Sequence, residues 1–330
     1  MNQVKLSSRD VAFMAVFAAL SAVVCKFIPG IPIIGVPEAS IKFDAALAPI
    51  YGLVIGPYLG FLAALFGGLI VAGSFFSVLT SFCTAFSALV AGLLVRENCS
   101  FRGYTVRGWV LAALVLGLLI LGWYGTWVGQ QAPLYPVLHL FGLFIILTFR
   151  GRIATYFKGD KGKIVNEEKW VVKPYYVMPG ILAVFSAYII SKPYWLDLGW
   201  TGFLPYLSLP LYFLGGIAII YGIFGGGEGR RKIAFAVGLS SYCGIIADHM
   251  LGNIIFISVI NILIPLEVIQ EYFLEPLGLP GIPSLFMYMI PISAAERFLI
   301  TAIATIFGVC LILALYRGGL LSQDRRRRYK

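Results

Sequence analysis

Nearly all lysines and arginines of this chain fall in alternate gaps between hydrophobic segments. Ten such segments can be read, at approximately 10–28, 43–56, 58–75, 78–95, 108–127, 136–150, 174–191, 203–224, 233–263 and 285–317. Lys5 and Arg9 precede the first, and Arg96, Arg102 and Arg107 follow the fourth. The run from Arg150 to Lys173 follows the sixth, Arg230, Arg231 and Lys232 follow the eighth, and Arg317 with Arg325–Arg328 and Lys330 follows the tenth. Of 25 basic residues, only Lys26, Lys42 and Lys192 fall on the other side, and Arg297 lies inside a segment. Cytoplasmic loops hold Lys and Arg because anionic lipid and the insertion machinery favour them there. The pattern therefore predicts ten membrane spans with both termini inside. A miscount by one segment would scramble the asymmetry.

Composition agrees. Hydrophobic residues make up 60%, charged residues 12%, and the mean hydropathy is +0.91. Spanning ~30 Å of hydrocarbon takes roughly 20 apolar residues as a helix, and lipid leaves no other partner for backbone groups. The expected fold is an all-α, polytopic membrane bundle in the cell membrane. The net charge of +10 sits beside the membrane and is read as inside bias, with Arg325–Arg328 on anionic headgroups, not as a nucleic-acid footprint. Cys25, Cys83, Cys99, Cys243 and Cys310 form no CxxC and are read as small packing residues. The first apolar stretch lacks a clear cleavage site and reads as a first span.

The second span is short, and Gly56-Pro57 makes a tight turn to the third. The last two spans exceed a bilayer and must tilt, kink or project. The outer segment 29–42 carries Pro29, Pro32 and Pro37, which oppose helix, so it is expected to fold back as a cap. Residues 128–135 carry no charge. In 264–284, Glu267, Glu271 and Glu275 recur every four residues and mark one face of a short surface helix. On the first span, Ala15/Ala19 and Ala18/Ala22 make smooth faces for close helix approach, either inside the protein or against a partner. Gly52, Gly56, Gly60, Ala64 and Gly68 extend that character through the next two spans, where internal packing is the commoner use.

Ionisable residues at membrane depth are costly and point to function. Asp248 and His249 lie in the outer half of the ninth segment, with Asn253 and Asn261 further out; Glu296 and Arg297 lie at similar depth in the tenth. Asp248 with Arg297, and Glu296 with His249, are candidate ion pairs. Three readings stay open: a structural pair fixing register, a polar ligand pocket, or a proton relay through His249. Glu38, Lys42 and Asp44 lie near the same outer level, so two polar clusters could face one aromatic, apolar cavity. His139, near the outer end of the sixth span, reads as an interfacial residue. No GxxxxGK[ST], HExxH or GxSxG occurs, and Gly225-Gly226-Gly227-Glu228-Gly229 reads as a turn. No catalytic residue, cofactor or metal site is read.

DVAFMAVFAALSAVV, a Pro-rich outer loop, and IKFDAALAPIYGLVIGPYLGFLAALFGGLI resemble the substrate-binding S components of energy-coupling-factor vitamin importers, chiefly through Phe43-Asp44, Pro49 and Gly56-Pro57 with Gly60. SAAERFLITAIATIFGVCLILALYR resembles the last helix of such proteins. The resemblance covers residues 8–95 (four helices) and 233–317 (two), the six spans the family uses. Residues 108–224 would be a four-helix insertion, and 318–330 a basic cytoplasmic tail. The insertion departs from the family, whose members are shorter; being even in number, it preserves sidedness. The resemblance implies that Ala15, Ala19 and Ala22 dock a membrane coupling subunit and that 29–42 closes over the ligand. It also implies that Asp248, His249, Asn253 and Glu296 line the pocket and that separate ATPase subunits supply energy. Among vitamin types the riboflavin binders are most similar. The competing expectations are an ion-coupled secondary transporter and a structural or assembly subunit that reuses the fold.

Overall fold

A computed structural model of the chain describes residues 7–28, 31–32, 40–41, 43–101, 104–159, 172–190, 204–225 and 227–320. Among the described residues the chain is all-α apart from two small β-hairpins. Its helices are α1 (Ser8–Phe27), α2 (Asp44–Ile55), α3 (Pro57–Val71), α4 (Phe75–Leu94), α5 (Gly108–Tyr124) and α6 (Trp127–Gln131). They continue with α7 (Val137–Phe149), α8 (Arg152–Lys158), α9 (Pro174–Ile190), α10 (Leu204–Phe224), α11 (Glu228–Val259), α12 (Leu266–Ile269) and α13 (Ile282–Arg317). Each of the ten expected segments is helical. Among the described residues four helices, α1, α4, α11 and α13, are long and apolar enough to cross a membrane; α7 with α8, bent by 73°, makes a fifth if the pair is one broken span.

The shorter helices have local causes. The 12 residues of α2 span about 18 Å, well under a bilayer core. It stops at Gly56, whose φ of +97° suits only glycine. Pro57 then opens α3, where its missing N–H costs nothing. Every residue of α2 from Ala48 to Ile55 is buried, so α2 is an interior helix enclosed by α1, α3, α4, α11 and α13. By contrast the 36 residues of α13 reach about 54 Å, as the sequence anticipates.

Small residues draw the centre together. A Cβ on Gly52 would meet the Ala88 carbonyl oxygen at 1.9 Å, one on Gly60 the Gly52 Cα at 2.6 Å, and one on Gly92 the Pro57 Cα at 2.7 Å. Thus α2, α3 and α4 touch backbone to backbone. The internal-packing reading of Gly52, Gly60 and Gly68 holds. It extends to α11, where a Cβ on Gly244 would meet the Ser87 carbonyl oxygen at 2.5 Å.

Helix α1 opens on a reciprocal cap: Asp10 N donates to Ser7 Oγ at 3.2 Å and Ser7 N to an Asp10 carboxylate oxygen at 3.4 Å. Its Ala18–Ala22 face is turned inward against α3, where a Cβ on Gly67 would meet Ser21 Cβ at 2.5 Å. Ala22 is therefore buried in the protein's own packing and is not available to a partner. Ala15 and Ala19 remain exposed, flanked by exposed Val11, Val16 and Val23.

Residues 108–224 divide into two bodies. Helices α5–α7 pack on α4 and α11, and α10 docks the α9–α10 hairpin on α13. Hairpin β1 (Ile31–Pro32) with β2 (Ser40–Ile41) pairs antiparallel within the expected cap segment. Hairpin β3 (Asn98–Phe101) with β4 (Tyr104–Arg107) joins α4 to α5. The expected surface helix is present as α12 and a π-helical turn, Gln270–Leu274. There Ile269 and Leu274 are buried five residues apart, while Glu267, Glu271 and Glu275 are exposed. The wider turn lets two residues five apart face inward. None of the five cysteines forms a disulfide.

Candidate functional site

Four elements converge at the end of the bundle away from the basic loops. Helix α11 brings Asp248, His249 and Asn253, and α13 brings Phe286, Ser293, Glu296 and Arg297. Helix α5 brings Trp123 near its end, and the α6–α7 connection and first turn of α7 bring Tyr135 and His139. The last three lie in the segment read as an insertion, so that segment builds part of this site.

Tyr135 is the junction. Asn253 donates its amide to the Tyr135 hydroxyl at 2.9 Å, and His249 Nε2 lies 3.3 Å from the same oxygen. The Tyr135 ring meets Trp123 and Phe286 at centroid distances of 4.6 and 5.0 Å, and Trp123 meets Phe286 at 5.0 Å, edge to face. These are the spacings at which aromatic quadrupoles attract. His139 stacks on His249 at 5.2 Å. Replacing Tyr135 with phenylalanine is expected to lower the unfolding free energy by about 1–2 kcal/mol, because Asn253 and His249 lose their shared partner. Denaturant titration in detergent reads this, and an unchanged midpoint would place the hydroxyl outside the network.

Arg297 is the charge common to the cluster. It pairs with its neighbour Glu296 at 3.4 Å, with side-chain exposures of 16% and 10%. Its field reaches Asp248, Cys83, Tyr135, His139 and His249. Asp248, in turn, is within electrostatic reach of buried Asp44 at the start of α2.

The anticipated pairings are corrected. Among the described residues, Asp248 forms no ion pair with Arg297 within 4.0 Å, and Glu296 none with His249; Glu296 takes Arg297, and His249 takes Tyr135. The reason is rotational. Consecutive helical residues point about 100° apart, so Asp248 turns toward Cys83 and Asp44 while His249 turns toward α7. Glu38 and Lys42 lie outside the described residues. His139 is not interfacial: it is fully buried. One signal could have found it, since the chain has two histidines and both fall in apolar segments at similar depth. Trp123 and Tyr135 carried no such signal among so many aromatics.

Several buried polar atoms here have no hydrogen-bond partner among the described residues: Trp123 Nε1, both nitrogens of His139, His249 Nδ1, Glu296 Oε1 and Arg297 Nε. The Pro136 carbonyl lies near the His139 ring but outside hydrogen-bond geometry. Leaving such a group unsatisfied costs about 1–3 kcal/mol. The set offers fixed donors, one acceptor oxygen and aromatic faces, which suits a flat molecule with polar edges. The Ser240 hydroxyl donates to the Ala236 carbonyl at 2.7 Å.

No protein-family model matches the chain, and no curated protein or solved structure matches it significantly.

Proposed function

We propose that this protein is the substrate-capture subunit of an energy-coupling-factor type importer, with ten membrane helices and both termini in the cytoplasm. Separate coupling and ATPase subunits would supply the energy. The observation that carries the reading is the convergence of unpartnered polar atoms on Trp123, His139, His249, Glu296 and Arg297 around an aromatic cluster buried among apolar helices. Such groups persist where something binds them. The ligand class is a vitamin-like, ring-bearing small molecule, with a flavin as first choice. Asp44, Asp248 and Asn253 are assigned to the same site, and Glu38 and Lys42 join it on the sequence reading alone. The exposed Ala15/Ala19 face of α1 is the surface offered to the coupling subunit.

Replacing Ala15 or Ala19 with tryptophan is expected to abolish uptake in cells while leaving ligand affinity unchanged in purified protein. Loss of binding in these variants would count against the assignment. The primary test is native mass spectrometry with small-molecule extraction on protein purified gently from its own membranes. A stoichiometric small molecule supports capture. An empty protein in a reproducible complex lacking a nucleotide-binding subunit would favour the assembly role. Accumulation of substrate by the isolated protein in liposomes under an ion gradient would favour a secondary transporter.

A further inference from the structure

At the opposite end of the bundle, a cavity of about 770 Å³ opens between the β3–β4 hairpin, the start of α5 and the elbow from α7 to α8. Its wall carries Arg107, Arg150 and Arg152, with Trp109 beneath them. The one carboxylate on the wall, Glu97, is already engaged by Lys158 at 2.6 Å. Arg107 and Arg152 have no ion-pair partner among the described residues. Arg150 spends only its Nε, donating to the Leu147 carbonyl at 3.0 Å, with its guanidinium 5.8 Å from the Trp109 ring centroid. Arg150 also holds a left-handed backbone (φ 43°) where α7 breaks, a conformation that a non-glycine residue keeps only when its surroundings impose it. Three arginines therefore line one concavity, and among the described residues its wall carries a single carboxylate, Glu97, which Lys158 already pairs.

The approach to this cavity is apolar. Val137, Leu140, Phe144 and Leu147 are exposed along α7, spaced three or four apart, so they form one stripe that ends at the cavity wall. Leu114, Leu118 and Leu121 are exposed on neighbouring α5.

We propose that this cavity binds the phosphate headgroup of an anionic phospholipid, whose acyl chains lie along the α5–α7 stripe. Guanidinium forks match phosphate oxygens in bidentate geometry, and a basic pocket between membrane helices at the positively charged face is where such headgroups collect. The stripe distinguishes a lipid from free phosphate, which would need the arginines alone.

The test uses the full-length protein in nanodiscs containing phosphatidylglycerol and phosphatidylcholine, ejected for native mass spectrometry. Retained phosphatidylglycerol is expected on the wild type. Each of Arg107→Gln, Arg150→Gln and Arg152→Gln is expected to weaken retention about five-fold, and the three together on the order of a hundred-fold. The control variant Lys26→Gln, in the last turn of α1, should retain lipid as the wild type does. If the triple variant fails to fold, as judged by its elution and thermal midpoint, the single variants carry the test. Equal retention of the two lipids, or undiminished retention in the single variants, would overturn the proposal. So would displacement of the lipid by millimolar inorganic phosphate, which would assign the site to a soluble phosphate.

Discussion

Replacing Arg297 with methionine is expected to destabilise the folded protein by about 3 kcal/mol, because it leaves a nearly buried carboxylate uncompensated. Glu296 is 8% exposed and makes its ion pair with Arg297 at 3.4 Å; Asp248, 9% exposed, lies within the same field. Removing a charge from a buried pair costs more than removing the pair, since an isolated ion pays its full desolvation. The double variant Glu296→Gln/Arg297→Met should therefore recover much of the loss. Denaturant unfolding of wild type, both single variants and the double variant in one detergent gives the coupling directly. A single Arg297→Met variant no less stable than the double variant would show that Glu296 does not depend on this guanidinium.

An alanine at Gly52 is expected to be at least as damaging. One added methyl carbon would sit 1.9 Å from the Ala88 carbonyl oxygen and 2.9 Å from the Gly92 amide nitrogen. Both are backbone atoms of α4, so no rotamer change relieves the clash and the helices must separate. Overpacking a tight core costs typically 1–3 kcal/mol, occasionally more; here about 3 kcal/mol is expected, seen as a lower thermal midpoint and loss of monodisperse protein. Gly117→Ala is the control. It lies within α5 with nothing inside 4 Å of the added carbon, and alanine there should stabilise by roughly 0.5–1 kcal/mol. Equal effects at Gly52 and Gly117 would mean that α2 and α4 do not approach this closely.

The helices were legible because their signals are local. Apolar runs and Gly56-Pro57 between α2 and α3 each act within a few residues, whereas the Ser7–Asp10 cap at the head of α1 emerged only from the structure. The short β-hairpins and the π-helical turn after α12 were not legible, since they rest on pairings and burial that no local run of residues announces. The small-residue faces were half legible. Their periodicity marked close approach, but it could not say that Ala22 faces α3 while Ala15 and Ala19 face outward.

The candidate site divides the same way. Asp248, His249, Glu296 and Arg297 stand out because charge and imidazole are rare in apolar segments. Their partners do not, because Tyr135 is 114 residues from His249 and nothing in either segment refers to the other. By itself the sequence determined where helices form and which residues are too polar for their depth, because the requirement to satisfy backbone groups in an apolar medium acts on each segment alone. Only the tertiary structure decided which of those residues meet: each helical position turns about 100° from the next, and packing by backbone contacts such as Gly52 on Ala88 sets the rotation.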